Sequence, residues 1–327
     1  MELTARTVFV IAIATARMIF PGIEPSTLPA EQQTTPFGAA VKSVTMELTS
    51  SAEADAESRA FVTVPKGLGA GSRVSLTIER PRATAAAREN PEPGLPGSFE
   101  VRQFWGNHEN APAGQPKVTS GAESSVTPEG KTEDGRLPDG SYAHWPGYDT
   151  PPLKPHASAA GEYLLDTNYC GGAAVNVAED QDFLVPIRIT SPASEPDLST
   201  PIRIAWEAVP NAVAYLLSAS GGGEKWSTVW TSSAAPDLTA DIERRPVAPD
   251  ELRGLIEQRA LLPADATSCT IPAGIFKGAN SVMLTITAFG RDTVQEKDGV
   301  TTAVIVRSTA GAALYSRPYD IGLGTGD

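Results

Sequence analysis

The chain has 327 residues, enough for one large domain or two ordinary ones with real cores. Lys and Arg number 26 against 39 Asp and Glu, a formal charge of −13, and no basic cluster exceeds the pair Arg244–Arg245; neutralising phosphates needs clustered cations, so nucleic acid and anionic membrane surfaces are discounted as partners. Apolar residues make up 41%, and the 29 Gly and 28 Pro lie above the ordinary background but below that of a low-complexity chain, which suits short strands joined by many turns.

The first residues, "MELTARTVFVIAIATARMIFPGIEPS", place Arg6 before the apolar run Thr7–Ala16, with Pro21 and Gly22 beyond it. This reads as a secretory signal over residues 1–24, which puts the mature protein in the periplasm or the secreted fraction. Glu2 offsets Arg6 and Arg17 interrupts the run, and the segment is too short and too interrupted for a membrane span. No other stretch approaches transmembrane length, so no span remains after signal removal. The competing reading is a core strand or short helix, and with it a cytoplasmic protein. Residues 25–40 are rich in Pro, Thr, Gln and Ser and read as a linker.

A β domain is expected over 41–185. "SVTMELT" puts Val44, Met46 and Leu48 on one face; "RAFVTVP" offers Val62 and Val64; "SRVSLTIERP" offers Val74, Leu76 and Ile78; "SFEVRQFWG" presents Phe99, Val101 and Trp105. Gly/Pro clusters bound each run, as in an antiparallel β domain. Residues 106–160 have little periodicity and form a long irregular excursion, either disordered or functional. Tyr142, Trp145 and Tyr148 argue that its second half packs against something, because aromatics are scarce in disordered tracts.

Strand patterns resume with "EYLLDTNY" and "DFLVPIRIT", and a second domain is expected over 186–316, followed by a tail, 317–327. Within it "PDELRGLIEQRALLP" predicts a helix. Pro249 suits the first turn, Asp250 and Glu251 complement the dipole there, Leu252, Leu255 and Ile256 form an apolar stripe, and Pro263 closes it. In "PIRIAWEAVPNAVAYLLSAS" the alternation puts Ile202, Ile204 and Trp206 on one face, then Tyr215, Leu217 and Ala219. We expect this hairpin to line the inside of a sandwich.

The runs "IRIAWEAVPNAVAYLLSAS" and "NSVMLTITAFG" resemble a fibronectin type III-like sandwich over Pro186 to Tyr315. The resemblance implies that Trp206 and Tyr215 are core residues and that the helix is an insertion between middle strands. The fold class expected is therefore mainly β, with two antiparallel sandwich-like domains, the C-terminal one fibronectin type III-like with one inserted helix. The wider chain also resembles a group of uncharacterised exported bacterial proteins. An aromatic-"WG" (Phe104–Gly106), "GQP" (Gly114–Pro116) and a "CTIPxGIF" segment (Cys269–Phe276) carry that likeness. It implies export and an envelope role, and brings no catalytic residues with it.

Chemistry-bearing motifs are sparse. His108, His144 and His156 lie in the excursion near Glu109, Asp139 and Asp149, without the tight spacing of a zinc site. There is no G-x-S-x-G elbow, and neither Cys170 nor Cys269 has the surroundings of a reactive thiol. The two cysteines could form a disulfide in an oxidising compartment, or be core residues. "ASGGGEKWS", Ala219–Ser227, is a turn between strands and no phosphate cradle. Asp166, Glu179, Asp180 and Asp182 sit near strand ends, where a carboxylate pair for glycoside hydrolysis needs only the right separation.

The most specific ligand site predicted is "KWSTVWTSS". Trp226, Thr228 and Trp230 share a face; if Val229 points inward, the two rings form a platform for sugars, to which Trp105 and Trp145 could add. If the tryptophans point inward, they are core. The expected function is a non-catalytic binding or structural module of the bacterial envelope or secreted fraction, with no cofactor or metal and with a protein or glycan as partner. The alternative is a glycan-binding module or a glycan-directed hydrolase.

Overall fold

The computed structural model describes residues 6–19, 40–79, 99–120, 140–239 and 241–316. In chain order the strands are β1 (Thr7–Ile19), β2 (Val41–Ser50), β3 (Ala60–Thr63), β4 (Arg73–Ser75), β5 (Thr77–Glu79), β6 (Glu100–Trp105), β7 (Lys117–Ser120), β8 (Ser141–Trp145), β9 (Gly161–Thr167) and β10 (Ala173–Val177). Then come β11 (Ile189–Ser191), β12 (Ile202–Trp206), β13 (Ala214–Gly222), β14 (Trp226–Thr231), helix α1 (Pro249–Glu257), β15 (Leu262–Pro263), β16 (Ser268–Ile271), β17 (Ser281–Phe289), β18 (Thr293–Lys297) and β19 (Val300–Ser316). The protein is mainly β. One large sheet runs β5-β8-β2-β1-β19-β17-β13-β14-β6-β7, with β15 beside β13 and β18 beside β19. Two smaller sheets, β10-β9-β3-β4 and β11-β12-β16, complete it. The large sheet is mixed, because β1 runs parallel to β19 and β6 parallel to β14.

In the C-terminal half the expected alternation becomes the core. Ile202, Ile204 and Trp206 on β12 are buried, as are Tyr215, Leu217 and Ala219 on β13. Trp206 is 3% exposed and its ring lies 5.3 Å from that of Tyr215, so the three-stranded sheet meets the large one there. Burying an indole of ~200 Å² contributes several kcal/mol at roughly 25 cal/mol per Å². The Tyr215 hydroxyl accepts the Val209 N–H at 2.9 Å, which fixes the turn between the two strands.

β13 departs from strict alternation because both its faces are covered at one end. Ala214 and Leu216 point away from Tyr215 and pack with Phe289, Leu255, Ile242 and Leu261 in a second, smaller core. α1 supplies Leu255 to that core, with Leu252 and Ile256 partly buried against it, as the apolar stripe predicts. The helix stops at Glu257, before Pro263, because Arg259 adopts a left-handed backbone (φ 55). Beneath it lies a buried ion pair. Arg307 on β19 donates to both oxygens of Asp292, at 2.7 and 2.9 Å, with side chains 7% and 2% exposed. Asp292 also accepts the Val247 and Val306 N–H groups, and Arg307 donates to the Arg245 carbonyl, so the segment before α1 is tied to β19.

The largest correction concerns the N-terminus. Thr7–Ile19, expected as the body of a signal sequence, is a central strand of the large sheet, parallel to β19 and antiparallel to β2. Phe9, Ile11 and Ile13 are fully buried, and Val8, Val10, Ala12 and Ala14 half-buried on the other face. A strand flanked on both sides, with one face in the core and the other half-buried, carries apolar residues at even and odd positions alike, so its sequence looks like the apolar run of a leader. Residues 1–5 and 20–24 of that segment, most of the linker and the tail 317–327 lie outside the described residues.

The excursion is corrected in part. Residues 121–139 lie outside the described residues, but β7 and β8 fall within 106–160, and β8 sits between β5 and β2 in the large sheet. Ala143 and Trp145 on β8 are buried, whereas Tyr148 is fully exposed. The predicted inward face of β6 is reversed as well: Phe104 is its buried residue, while Phe99, Val101 and Trp105 are half-buried. The reason is that β6 adds to the edge of β14, with Phe104 beside Trp230, instead of facing the N-terminal core. One buried cluster extends from Phe9 and Val62 to Trp206 and Leu284, across both expected domains.

Candidate functional site

Of the two orientations open to Trp226 and Trp230, an outward platform or an inward core, β14 adopts the inward one. Trp230 is 2% exposed, and its Nε1–H donates to the Gly106 carbonyl at 3.0 Å. Thr228 and Trp145 are buried, while Trp226 and Trp105 are half-buried. Val229 is the exposed residue of β14, so the tryptophans face inward. Arg102 stacks on the Trp226 ring at 5.1 Å, which occupies one face of that indole.

What the tryptophans support is a clasp. Gly106 donates its N–H to the Thr231 carbonyl, Asn107 Oδ1 accepts the Thr270 N–H at 2.8 Å, and the Glu109 carbonyl accepts the Ala273 N–H at 2.9 Å. Gln115 closes the loop from within: its amide accepts from the Trp105 N–H at 3.0 Å and donates to the Trp105 carbonyl at 2.9 Å. The aromatic-WG, GQP and CTIPxGIF segments therefore meet in space as one structural unit.

Cys170 and Cys269 do not pair; both thiols are free. Cys269 is buried on β16, and burial pushes its thiol up to about 12. Cys170 is half-buried, its Sγ 3.5 Å from Thr167 Oγ1. The histidines are apart in role: His144 stacks on Tyr142 with Nδ1 3.7 Å from Glu79 Oε1, while His108 and His156 are exposed. Among the described residues, no group of three or more His, Cys, Asp or Glu is placed to hold a metal.

Three of the four carboxylates proposed from sequence, Asp166, Asp180 and Asp182, take separate partners. Asp182 accepts from Ser158 Oγ and from the Ala159 and Phe183 N–H groups, a structural cap, and Asp180 pairs with Arg291. Asp166 lies elsewhere, in an open depression of about 320 Å³ at the end of the four-stranded sheet, lined by Glu57, Arg59, Phe61, Asp166, Thr167 and Asn168. Register explains the convergence. β3 and β9 are antiparallel, with Phe61 opposite Asp166 and Ala60 opposite Thr167; Ala60 and Val62 point into the core, so Phe61 and Asp166 point out.

The depression is held by its backbone. Asn168 Oδ1 accepts the Arg59 N–H at 2.7 Å, and its Nδ2 donates to the Glu57 carbonyl at 3.1 Å. Asp55 fixes the preceding turn by accepting from Ser58 Oγ and the Glu57 N–H, and these hydrogen bonds hold its carboxyl below the usual range. Arg73 pairs with Asp166 at 2.7 Å and lies over the Phe61 ring at 4.1 Å. The result is an aromatic edge, carboxylates, guanidinium groups and an amide on a rigid strand end, able to hydrogen-bond a polar ligand. Of these residues, sequence reasoning singled out only Asp166. Phe61 and Arg59 share the run "RAFVTVP" with core residues, and only the pairing of β3 with β9 brings them to "DTN". Among known proteins, no family model and no curated protein matches the chain.

Proposed function

We propose that the protein is a non-catalytic binding module and that the depression between β3 and β9 takes its ligand; with Thr7–Ile19 built into the large sheet, a place in the bacterial envelope or secreted fraction rests on the resemblance to exported proteins alone. The observation that carries this is the convergence of Arg59, Phe61, Asp166 and Asn168 on strand ends whose backbone is already fixed. Preorganised polar groups lose little entropy on binding. The specific reading is a glycan, because hydroxyls match the carboxylate, amide and guanidinium groups, beside a Phe61 ring that Arg73 covers on one face. This moves the glycan site away from Trp226 and Trp230. The two-sandwich, fibronectin type III-like organisation belongs to the same proposal, supported by β11-β12-β16 opposing β14-β13-β17-β19. We further propose that residues 7–19 are retained in the working protein, since cleavage near residue 24 would remove β1.

Titrating envelope-derived oligosaccharides while following backbone amide resonances tests the site. Shifts at Asp166–Asn168 that are lost in Phe61→Ala and Asp166→Ala support it. Binding that both variants retain would place the ligand elsewhere, and no binding to any envelope glycan would remove the glycan reading. The intact mass of the protein recovered from a secreting host tests retention: loss of residues 7–19 overturns it.

A further inference from the structure

We propose that the ligand of the depression is a zwitterion, a saccharide carrying both a carboxylate and an ammonium group, held between Arg59 and Glu57. This rests on the ligand site proposed above and specifies which class of sugar it takes. The charges around the depression are of two kinds. Arg73 and Asp166 already pair with each other at 2.7 Å, and the Arg73 guanidinium lies over the Phe61 ring at 4.1 Å. Glu57 and Arg59 line the same depression and are exposed. Among the described residues, neither the Glu57 carboxylate nor the Arg59 guanidinium makes a hydrogen bond or ion pair, with the other or with any neighbour. Two opposite charges therefore face one depression without neutralising each other.

One side chain fixes the backbone beneath both. Asn168 Oδ1 accepts the Arg59 N–H at 2.7 Å, and its Nδ2 donates to the Glu57 carbonyl at 3.1 Å. The Glu57 N–H in turn donates to Asp55 Oδ1 at 2.9 Å. The two charged side chains start from anchored positions, which lowers the ordering cost when a ligand spans them. Other sugars match fewer groups. A neutral one leaves both charges facing water. An anionic one meets Arg59 but lies beside Glu57, on a chain whose formal charge is −13. A cationic one meets Glu57 but lies beside Arg59. A ligand with both signs meets each charge with its opposite and brings no net charge to the site. Both contacts are charge-assisted hydrogen bonds, held to a modest factor each by their exposure.

Four monosaccharides provide the test. Muramic acid carries a carboxylate and an amine, N-acetylmuramic acid the carboxylate alone, glucosamine the amine alone, and N-acetylglucosamine neither. Each is titrated into the full chain while the backbone amides of Asp166–Asn168 are followed. Muramic acid should bind about tenfold tighter than N-acetylglucosamine, with about threefold from each charge. Arg59→Gln should remove the advantage of the carboxylate and keep that of the amine, and Glu57→Gln should do the reverse. Both positions are exposed, so the variants keep the fold. Equal binding of all four sugars overturns the zwitterion and leaves the depression a glycan site, as does a preference set by one charge alone. No binding of any of them overturns the inference and the ligand site together. Alanine, a zwitterion without a sugar, completes the series: binding as tight as that of muramic acid, weakened by the same two substitutions, would assign the site to an amino acid and overturn the saccharide.

Discussion

The two parallel ladders of the large sheet, β1 with β19 and β6 with β14, do the same thing topologically and differ physically. Each brings a strand from the N-terminal part of the chain to one side of the C-terminal set β19-β17-β13-β14, so both sides of that set are covered. At the first junction one face of the added strand is sealed in the core, with Phe9, Ile11 and Ile13 out of solvent, and the other is half-buried. At the second it is largely half-buried, and β7 beyond it leaves Val118 53% exposed. The lesson is that identical pairing geometry can build a core or merely cover an edge. What decides is whether a second layer lies over it.

Substitutions at equivalent places should separate the two. Ile11→Asp puts an unpaired carboxylate into the enclosed junction, and we expect loss of cooperative folding, read as absence of a thermal transition by circular dichroism. The same junction carries the buried ion pair, because Arg307 stands opposite Ala14 across β1 and β19. Asp292→Asn should cost about 3–5 kcal/mol in urea unfolding, since it leaves the Arg307 guanidinium buried without its counter-charge. A cost below about 1 kcal/mol would mean that the backbone N–H groups and carbonyls around the pair, not its charges, hold this corner.

Sequence made the first junction harder to read than the second sheet layer did. β12 was legible because one face is core and the other is not, over Ile202–Trp206, and β13 where the same contrast holds, at Leu217–Ala219. β1 lacks that contrast: Val8, Val10 and Ala12 are nearly as apolar as Phe9 and Ile11. A period of two in hydrophobicity disappears when the half-buried outer face is apolar as well, and what remains resembles a leader. Pairing was the other invisible quantity. β6 was recognised as a strand, yet its inward residue was missed because its partner, β14, lies more than a hundred positions away. The candidate ligand site suffered for the same reason, since Phe61 and Asp166 are neighbours only through the register of β3 and β9. α1 was legible from local signals alone, Pro249, the acidic first turn and the Leu252–Ile256 stripe.

At the second junction the effects should shrink. Trp230→Phe keeps a ring in the core but removes the Nε1–H bond to the Gly106 carbonyl, leaving that acceptor without its donor. A loss of about 1–2 kcal/mol is expected. It should come with faster amide exchange at Gly106 and at Thr270, whose N–H is held by the neighbouring Asn107, while amides of β1 stay protected. Equal acceleration on β1 would mean that the two junctions open as a unit and that their contrast is only one of exposure.

The smallest effect should come from the outermost strand. Val118→Lys on β7 replaces a side chain already more than half in water, so stability in urea should change by no more than about 0.5 kcal/mol. Lysine on an edge strand also discourages pairing with another chain, so any concentration-dependent association through β7 should fall. If Val118→Lys destabilised the fold by much more than that, β7 would be contributing to a core instead of covering an edge, and the contrast between the two junctions would fail.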